Sequence, residues 1–265
     1  MATGSNVRTF FEGSWYSEDK HVMRAADHGS WLGTSVFDGA RYVDGVAPDL
    51  KAHCDRINNS AEAMMITPTV SSEKMVEIIM DGIDKFKSSQ AVYIRPMYWA
   101  IEGGDLAIVP KKGLTGFAIC LEDIPMADSN SAATLTTTSF RRPVLEDNVV
   151  NAKAGCLYPN NARMLVEARD KGFSNALVAD IMGNVAETAT ANIFIVKDGE
   201  IFTPIPNGTF LAGITRNRHI FNLTADGYKV HEKVISFKDV ENADEVFMSG
   251  NMMKVTPVKA FNSTN

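Results

Sequence analysis

The sequence lacks several features that would assign it to a specialised class of protein. Its 265 residues include only three cysteines, Cys54, Cys120 and Cys156, and no CxxC pair, which is typical of a reducing compartment. No stretch approaches the roughly 20 consecutive apolar residues of a membrane-spanning helix. The first residues, MATGSN, lack the apolar core of a signal peptide. We therefore expect a cytoplasmic protein without a membrane segment.

An excess of basic residues is also lacking. The chain carries 26 Lys and Arg against 32 Asp and Glu, so its formal net charge is −6, whereas a nucleic acid or an anionic membrane favours a basic partner. The sequence contains no dinucleotide fingerprint, P-loop, HExxH or GxSxG motif. Its five histidines are too scattered for a metal site. These absences leave small-molecule chemistry without a metal as the expectation.

The order of helix-like and strand-like segments indicates two domains. The first 120 residues or so alternate between the two patterns, and Ser72–Phe86 is the clearest helix because its apolar residues form one stripe. Charge and a proline interrupt the pattern after residue 121. We therefore predict a small α/β domain over residues 1–121, a linker over 122–130 and a larger domain over 131–265. Short strands dominate the larger domain, which favours a folded or barrel-like sheet.

Two local signals lie in the predicted larger domain. Asp198-Gly199 separates two short strands and predicts a hairpin turn, because such turns require positive φ angles. Arg216–Thr224 is predicted as a short helix that follows Gly213. Backbone N–H groups at a helix N-terminus form an anion site, to which the Thr215 hydroxyl can contribute. The alternative interpretation makes Thr215 a simple N-cap.

Other polar residues lie in unusually apolar surroundings. Lys153 is flanked by small residues in NAKAG, and a desolvated lysine has a lowered pKa that frees its amine to condense with a carbonyl group. The alternative is a surface lysine in a loop. Glu187 is likewise flanked by small residues, with an exposed loop acid as the alternative. Arg56 and Arg95 lie among apolar residues, where surface arginines with buried stems are the alternative.

Taken together and in order, these segments resemble the fold-type IV enzymes that use pyridoxal 5′-phosphate (PLP). This group includes branched-chain and D-amino-acid aminotransferases, (R)-amine transaminases and aminodeoxychorismate lyase. The resemblance covers nearly the whole chain. It is carried by residues 28–41 (HGSWLGTSVFDGAR), 53–60 (HCDRINNS), 93–96 (YIRP), 153–158 (KAGCLY), 185–194 (VAETATANIF), 203–204 (TP) and 213–216 (GITR).

The resemblance implies PLP as cofactor and an α/β (α+β) fold with a pseudo-barrel in the larger domain. Lys153 would bind PLP covalently and move a proton between substrate and cofactor. Glu187 would bond the pyridine nitrogen, and Tyr158 the phenolic oxygen. The cofactor phosphate would be held by Arg56, the backbone amides of Ile214 and Thr215, and Asn251.

The residues that the resemblance places against substrate are Phe37, Arg41, Tyr93, Arg95 and Met252. Four positions depart from the branched-chain pattern. Asn251 replaces the threonine of Ser-Gly-Thr, Met252 and Met253 add bulk where small residues are usual, and Leu32 stands where a tyrosine is common. These changes alter the expected shape of the substrate pocket and leave the cofactor residues intact.

The resemblance therefore implies transamination between a hydrophobic, branched-chain-like amino acid and an oxo acid such as 2-oxoglutarate. One alternative is transamination of a D-amino acid or an (R)-amine with pyruvate. Another is an aminodeoxychorismate lyase, which releases pyruvate without an acceptor, and a third is a non-catalytic protein of the same fold. Since the relatives are homodimers, the resemblance also implies a homodimer.

Overall fold

The computed structural model describes residues 4–128 and 130–262. The described part does not include residues 1–3, Ser129 and residues 263–265. Residues 1–3 belong to the start that is expected to lack a signal peptide, and Ser129 belongs to the expected linker. The chain divides into two compact units. One contains the residues up to Met126 together with Ala152–Cys156, and the other contains Ala127–Asn151 and the residues from Leu157 onward.

The first unit is built on an antiparallel sheet of six strands. Its strands are β1 (Ser5–Phe11), β2 (Ser14–Tyr16), β3 (Ser35–Phe37), β4 (Ala40–Tyr42), β5 (Val92–Ala100) and β6 (Thr115–Asp123). They are ordered β2-β1-β6-β5-β3, and β4 also pairs with β5. Its helices are α1 (His28–Trp31), α2 (Leu50–Ala63) and α3 (Ser72–Ile83). The apolar sides of α2 and α3 cover one face of the sheet, and residues such as Ile57, Ile79 and Ile94 there are fully buried.

Helix α3 confirms the helix predicted over Ser72–Phe86, although it ends three residues earlier. The Ser71 hydroxyl caps its start by accepting the Lys74 N–H at 3.2 Å. Gly82 lies on the buried stripe of α3. A Cβ at this position would come within 2.2 Å of the Trp15 ring, so the position requires glycine. The apolar stripe thus fixes how closely α3 approaches the sheet.

The bounds of the two units differ from the predicted domains in two places. Glu122 and Asp123, placed in the linker because of their charge, complete β6 by pairing with Tyr93 and Val92. The segment Ala152–Cys156, placed in the larger domain, belongs to the first unit because its backbone pairs with β3. Sequence pattern alone did not reveal this second pairing, since its partners are more than 100 residues apart.

The second unit is built on a mixed sheet of eight strands. Its strands are β7 (Ala133–Arg141), β8 (Asn175–Ala179), β9 (Val185–Thr188), β10 (Asn192–Lys197), β11 (Glu200–Pro204), β12 (Val230–Lys233), β13 (Glu245–Gly250) and β14 (Lys254–Phe261). They are ordered β12-β11-β10-β13-β14-β7-β8-β9. Its helices are α4 (Tyr158–Asp170), α5 (Ile214–Ala225) and α6 (Phe237–Glu241). Residues 189–191 alone join β9, at one end of the sheet, to β10 near the other. The sheet therefore curls into a half-barrel.

The core of the second unit fills the inside of this curled sheet. Leu135, Leu177, Ile193 and Ile235 are all fully buried there. The predicted hairpin at Asp198-Gly199 is confirmed, with φ angles of 50° and 76° between β10 and β11. Among the described residues, no helix is both long and apolar enough to cross a membrane.

Candidate active site

One face of the sheet in the first unit carries four of the residues expected to meet substrate. Directly paired residues on antiparallel strands place their side chains on the same face of a sheet. Arg41 pairs with Tyr93, and Phe37 pairs with Met97. Because Tyr93, Arg95 and Met97 alternate along β5, they share that face. We call the surface formed by Phe37, Arg41, Tyr93 and Arg95 the arginine face.

Lys153 lies in the same unit, on a segment that runs beside β3. The Phe37 N–H donates to the Lys153 carbonyl at 3.1 Å, and the Lys153 N–H donates to the Ser60 hydroxyl at 3.0 Å. The flanking residues Ala152 and Ala154 are fully buried, while Lys153 itself is half-buried. Its Nζ atom lies 4.8 Å from the centre of the Phe37 ring. The amine therefore lies over the arginine face.

The side chain of Arg56 is held in place by the buried carboxylate of Asp38. Its Nε and Nη2 atoms donate to Asp38 at 2.7 and 2.8 Å, and Nδ1 of His53 lies 2.7 Å from the same carboxylate. Burial alone would raise the pKa of Asp38, but Arg56 and His53 outweigh it and hold that pKa well below its usual range. Asp38 therefore stays ionised and orients the Arg56 guanidinium.

The two arginines of the arginine face differ in their partners. Arg41 is fully buried, and its Nε and Nη1 atoms have no hydrogen-bond partner among the described residues. Its Nη2 atom lies 3.0 Å from the sulfur of Met126, which is a weak acceptor. Arg95 instead forms an ion pair with Glu122, which is buried. Among residues 4–128 and 130–262, Arg41 is therefore the arginine of this face that has no carboxylate in direct contact, and the charge of Asp123 acts on it only from farther away.

Glu187 lies on β9 in the second unit and is held by two side chains. Its Oε1 atom lies 3.0 Å from Nε of Arg142, and Asn192 donates to its Oε2 atom at 3.3 Å. Arg142 is fixed in turn, because it donates to Asn161 at 2.6 Å and to the Thr188 carbonyl at 2.9 Å. Because both members of the ion pair are mostly buried, Arg142 favours the ionised form of Glu187.

The N-terminus of α5 has the geometry of an anion site. Gly213 is the N-cap, its N–H donates to Asn192 Oδ1 at 3.1 Å, and the helix begins at Ile214. The first turn has no capping side chain and no acidic residue, so its N–H groups are available to an anion. The alternative interpretation of Thr215 as the N-cap is wrong, because Thr215 lies inside the first turn.

A further donor lies in the turn between β13 and β14. Lys254 Nζ donates to Asn251 Oδ1 at 2.7 Å. Because an ammonium group can only donate, the oxygen of the Asn251 amide must face it and the nitrogen must face away. That Nδ2 atom is buried and has no hydrogen-bond partner among the described residues. Asn251 thus offers a fixed, buried donor to an acceptor-rich ligand.

The β13–β14 turn and the start of α5 share one support. Asn192 pairs with Ser249 across β10 and β13, and its side chain also accepts the Gly213 N–H. His219 on α5 lies 2.9 Å from the Ser249 hydroxyl. Burial and nearby Lys254 lower the pKa of His219, which favours a neutral ring that accepts from Ser249. The two sets of donors are therefore held in a fixed relation within the second unit.

The remaining expected residues are more accessible. Tyr158 begins α4 and is 37% exposed, and Met252 is half-buried in the β13–β14 turn. Leu32, which stands where relatives carry a tyrosine, is also exposed. The roles expected for Tyr158 and Met252, and the effect expected of Leu32, stay predictions.

Sequence reasoning missed several residues that support the expected ones. Asp38 lies 18 positions from Arg56, Arg142 lies 45 positions from Glu187, and Glu122 lies 27 positions from Arg95. Arg142 and Glu122 were hidden because their partners are brought near only by the fold. Asp38 and Asn192 could have been found, since they belong to the quoted segments at residues 28–41 and 185–194.

The described residues fit PLP as a ligand. The unpartnered Asn251 Nδ2 atom and the uncapped first turn of α5 suit a phosphate group, which only accepts hydrogen bonds at neutral pH. Glu187, held by Arg142, suits a protonated ring nitrogen. Lys153 supplies an amine that can react with an aldehyde.

Comparison with known proteins agrees with this fit. The family model of amino-transferase class IV matches residues 35–261. The branched-chain-amino-acid aminotransferase of Salmonella typhimurium is 32% identical over 256 residues, covering 93% of this chain and 81% of that protein. Among solved structures, an aminotransferase from Brucella abortus bound to PLP has a TM-score of 0.96 and 52% identity, covering 98% of this chain and 92% of that one. The branched-chain amino acid aminotransferase of Escherichia coli has a TM-score of 0.89 and 28% identity, covering 97% and 87%.

These findings confirm the fold class, the family and the cofactor expected from the sequence. The half-barrel and mixed α/β architecture are those of the fold-type IV aminotransferases. PLP is the cofactor, since the family uses it and a solved neighbour over half identical in sequence binds it. The chain therefore belongs to the class IV aminotransferases and is a PLP-dependent enzyme that transfers amino groups.

Proposed function

We propose that this enzyme transfers the amino group of a hydrophobic, branched-chain-like amino acid to a 2-oxo acid, with Lys153 as its catalytic residue. The observation that carries the proposal is the position of the Lys153 amine, 4.8 Å from the Phe37 ring and over the arginine face. That surface offers an aromatic wall for an apolar side chain and a buried guanidinium for a carboxylate. The branched-chain enzymes among the relatives support the same donor class.

Bound PLP supplies an electron-accepting ring that makes the proton on the substrate Cα acidic. Lys153 Nζ would accept that proton and hold it beside the reacting carbon. Glu187, with Arg142 as its ion-pair partner, would hold the cofactor ring by accepting a hydrogen bond from the pyridine nitrogen. Tyr158 would donate to the phenolic oxygen and so orient the ring.

In this proposal, one guanidinium and several neutral donors would hold the cofactor phosphate. Arg56, oriented by Asp38, supplies the positive charge. Ile214 and Thr215 donate their backbone N–H groups at the start of α5, and Asn251 donates its buried Nδ2 atom. Each of these donors is fixed before the cofactor arrives, which lowers the entropy cost of binding.

The substrate is held by residues of two kinds. Phe37 and Met252 contact the apolar side chain, with the bulk of Met252 restricting its shape. Arg41, Tyr93 and Arg95 form the polar side of the site, where Arg41 binds the carboxylate that its unpartnered nitrogens require. We also propose a cytosolic homodimer, in keeping with three cysteines that are all free.

The test replaces the catalytic amine. Lys153→Ala should abolish both turnover and the borohydride-fixed attachment of PLP, which mass spectrometry locates, because no other residue has this role. The matched control is Lys197→Ala, which removes a β10 lysine that forms an ion pair with Asp244. This variant should retain both turnover and the attachment of PLP. In the same series, Glu187→Gln should keep PLP bound yet slow the half-reaction by orders of magnitude, since a neutral ring nitrogen accepts electrons poorly. Persistence of attachment and turnover in Lys153→Ala would remove Lys153 from its role.

The same preparation separates the remaining activities. L- and D-amino acids and (R)-amines are offered with several 2-oxo acids, and amino-group transfer is followed by product chromatography. Transfer confined to L-amino acids with apolar side chains supports the proposal. Transfer confined to D-amino acids or (R)-amines, or release of pyruvate without an acceptor, contradicts it.

A further inference from the structure

We propose that Glu122 restricts the acceptor to 2-oxo acids with a single carboxylate, because it pairs with Arg95 and leaves Arg41 as the anchor for one carboxylate. This inference rests on the proposed function, in which the arginine face contacts substrate. It is narrower than the expectation from the sequence, which named 2-oxoglutarate, an acceptor with two carboxylates.

Glu122 belongs to the arginine face by register. It pairs with Tyr93 across β5 and β6, and Cys120 pairs with Arg95 two residues away. Paired side chains share a face, so Glu122, Cys120, Tyr93 and Arg95 lie on the same side of the sheet. The Glu122 side chain is 2% exposed and that of Arg95 is 23% exposed. The ion pair therefore lies at the surface expected to meet substrate and is largely removed from water.

Three donors hold the Glu122 carboxylate in place. Besides Arg95, the Gly4 N–H donates to its Oε2 atom at 2.8 Å and the Cys120 thiol donates to its Oε1 atom at 3.5 Å. Burial, which the Arg95 charge offsets only in part, raises the pKa of Cys120 to about 12, so the thiol keeps its proton and remains a donor. Because all three groups donate to it, they hold the carboxylate in one position. Arg95 is thus neutralised by a fixed partner.

The charges of the face then match one carboxylate. Arg41 and Arg95 are its two guanidinium groups, and Glu122 compensates Arg95. The charge of Asp123 also acts on Arg41, but from a distance, and the Asp123 carboxylate accepts a hydrogen bond from Gln90. An oxo acid with one carboxylate would pair with Arg41, so that each guanidinium of the face has one carboxylate partner. A second carboxylate would have to displace Glu122 from Arg95 or lie beside it, and like charges in a poorly hydrated site repel strongly. The transfer itself needs no other reactant: the donor gives up its amino group and α-hydrogen and receives the carbonyl oxygen that the acceptor loses.

The test compares two acceptors in wild type and in variants of Glu122. The kcat and KM values for 4-methyl-2-oxovalerate and for 2-oxoglutarate are measured with one amino donor. Wild type should favour the monocarboxylate, and Glu122→Gln should shift the kcat/KM ratio toward 2-oxoglutarate roughly ten- to a hundredfold, mainly through KM. Glu122→Asp keeps the charge and should stay within about threefold of the wild-type ratio. Glu77→Gln, the same change in an exposed ion pair on α3, should leave the ratio unchanged.

A binding measurement separates charge from packing. Calorimetry with glutarate and 4-methylvalerate should show the same shift in relative affinity in Glu122→Gln, with no turnover required. A wild-type preference for 2-oxoglutarate overturns the inference, even if Glu122→Gln fails to fold. An equal shift in the Asp and Gln variants also overturns it, because the effect would then come from packing. If Glu122→Gln is active and its ratio of kcat/KM values is that of wild type, the role of Glu122 is contradicted but the proposed function is not. If wild type transfers the amino group to no oxo acid, the proposed function itself is contradicted.

Discussion

Asp38 illustrates how a buried residue can determine what a neighbouring one does. It is fully buried, it accepts from both Nε and Nη2 of Arg56, and it lies against His53. A carboxylate in this position is costly to bury alone and is stabilised only by its partners. Its loss would leave Arg56 without the contact that sets its direction.

We expect Asp38→Asn to lower the free energy of unfolding by about 3–5 kcal/mol at pH 7, the usual cost of breaking a buried ion pair. The pKa of Asp38 is depressed in the folded state, so its contribution is complete above the ordinary aspartate pKa of about 3.9 and is lost as pH falls toward the folded value. The gap between wild type and variant should therefore shrink below about pH 4.

Urea titrations at several pH values measure this difference in the free energy of unfolding between wild type and Asp38→Asn. The three tryptophans, Trp15, Trp31 and Trp99, all lie in the first unit with Asp38, so their fluorescence reports the relevant transition. Asp81→Asn, at an exposed carboxylate on α3, serves as control and should have a small effect. A gap that stays constant from pH 7 to pH 3 would show that the charge of Asp38 is not its source.

The residues that could be predicted from the sequence are those with a local signature. Lys153 and Glu187 stand out because small neighbours surround a charged side chain, and family segments place them in order. Arg142 and Glu122 carry no such signature, since each acts through a partner that only the folded backbone brings near. Asp38 lies in a family segment, but its pairing with Arg56 depends on the fold. Arg95 is an example: the sequence predicts its contact with substrate, which stays a prediction, but does not predict its ion pair with Glu122.

At the scale of elements, the start of α5 joins local sequence to chemistry. The sequence predicted the helix from Arg216, but it begins at Ile214, because Gly213 rather than a side-chain cap precedes its first turn. Gly213 fits closely: a Cβ there would lie 2.2 Å from Asn192 Oδ1. The same oxygen accepts the Gly213 N–H, so a larger residue would displace the turn that offers its amides to phosphate.

Gly213→Ala should therefore weaken PLP binding roughly tenfold or more, the effect of losing a hydrogen bond to a charged group. Fluorescence titration of the apoenzyme with PLP measures the Kd. Asn222→Ala, at an exposed position near the other end of α5, should leave the Kd unchanged. An unaltered Kd in Gly213→Ala, with helix content retained by circular dichroism, would exclude the first turn of α5 from the phosphate site.

Individual strands and turns were predictable to different degrees. The Asp198-Gly199 hairpin follows from two residues that tolerate positive φ angles, so a short window suffices. The order of strands in the half-barrel does not follow from any short window. It depends on pairings such as β14 with β7, whose residues are more than 100 positions apart.

At the scale of the whole molecule, the exposed apolar residues favour association. Leu106 is 95% exposed, Ile108 is 60% exposed and Val109 is 45% exposed, all in the loop between β5 and β6. Leu106 and Ala107 also adopt positive φ angles of 53° and 56°, which are unusual for residues with a Cβ. Clustered apolar exposure of this kind is typical of a protein interface.

We therefore expect a homodimer with about twice the 28.9 kDa mass of the chain. Sedimentation velocity over a range of concentrations measures it, and Leu106→Glu should shift the population toward monomer because it places a charge in the apolar loop. Phe221→Glu introduces the same charge at another exposed apolar position and should have less effect. A wild-type protein that sediments as a monomer at micromolar concentration would contradict the expectation.

The segment Ala152–Cys156 has a consequence for biosynthesis. It completes the edge of the first unit, where the Lys153 backbone meets Phe37 and Ser60, yet it is translated only after Ala127–Asn151 of the second unit. When residues up to Met126 have left the ribosome, β3 can pair with β5, but it gains its second neighbour only after residues 152–156 have been made. Recombinant fragments ending at Met126 would for the same reason lack both that edge and the reactive amine, so the smaller unit cannot be excised as one continuous, functional piece.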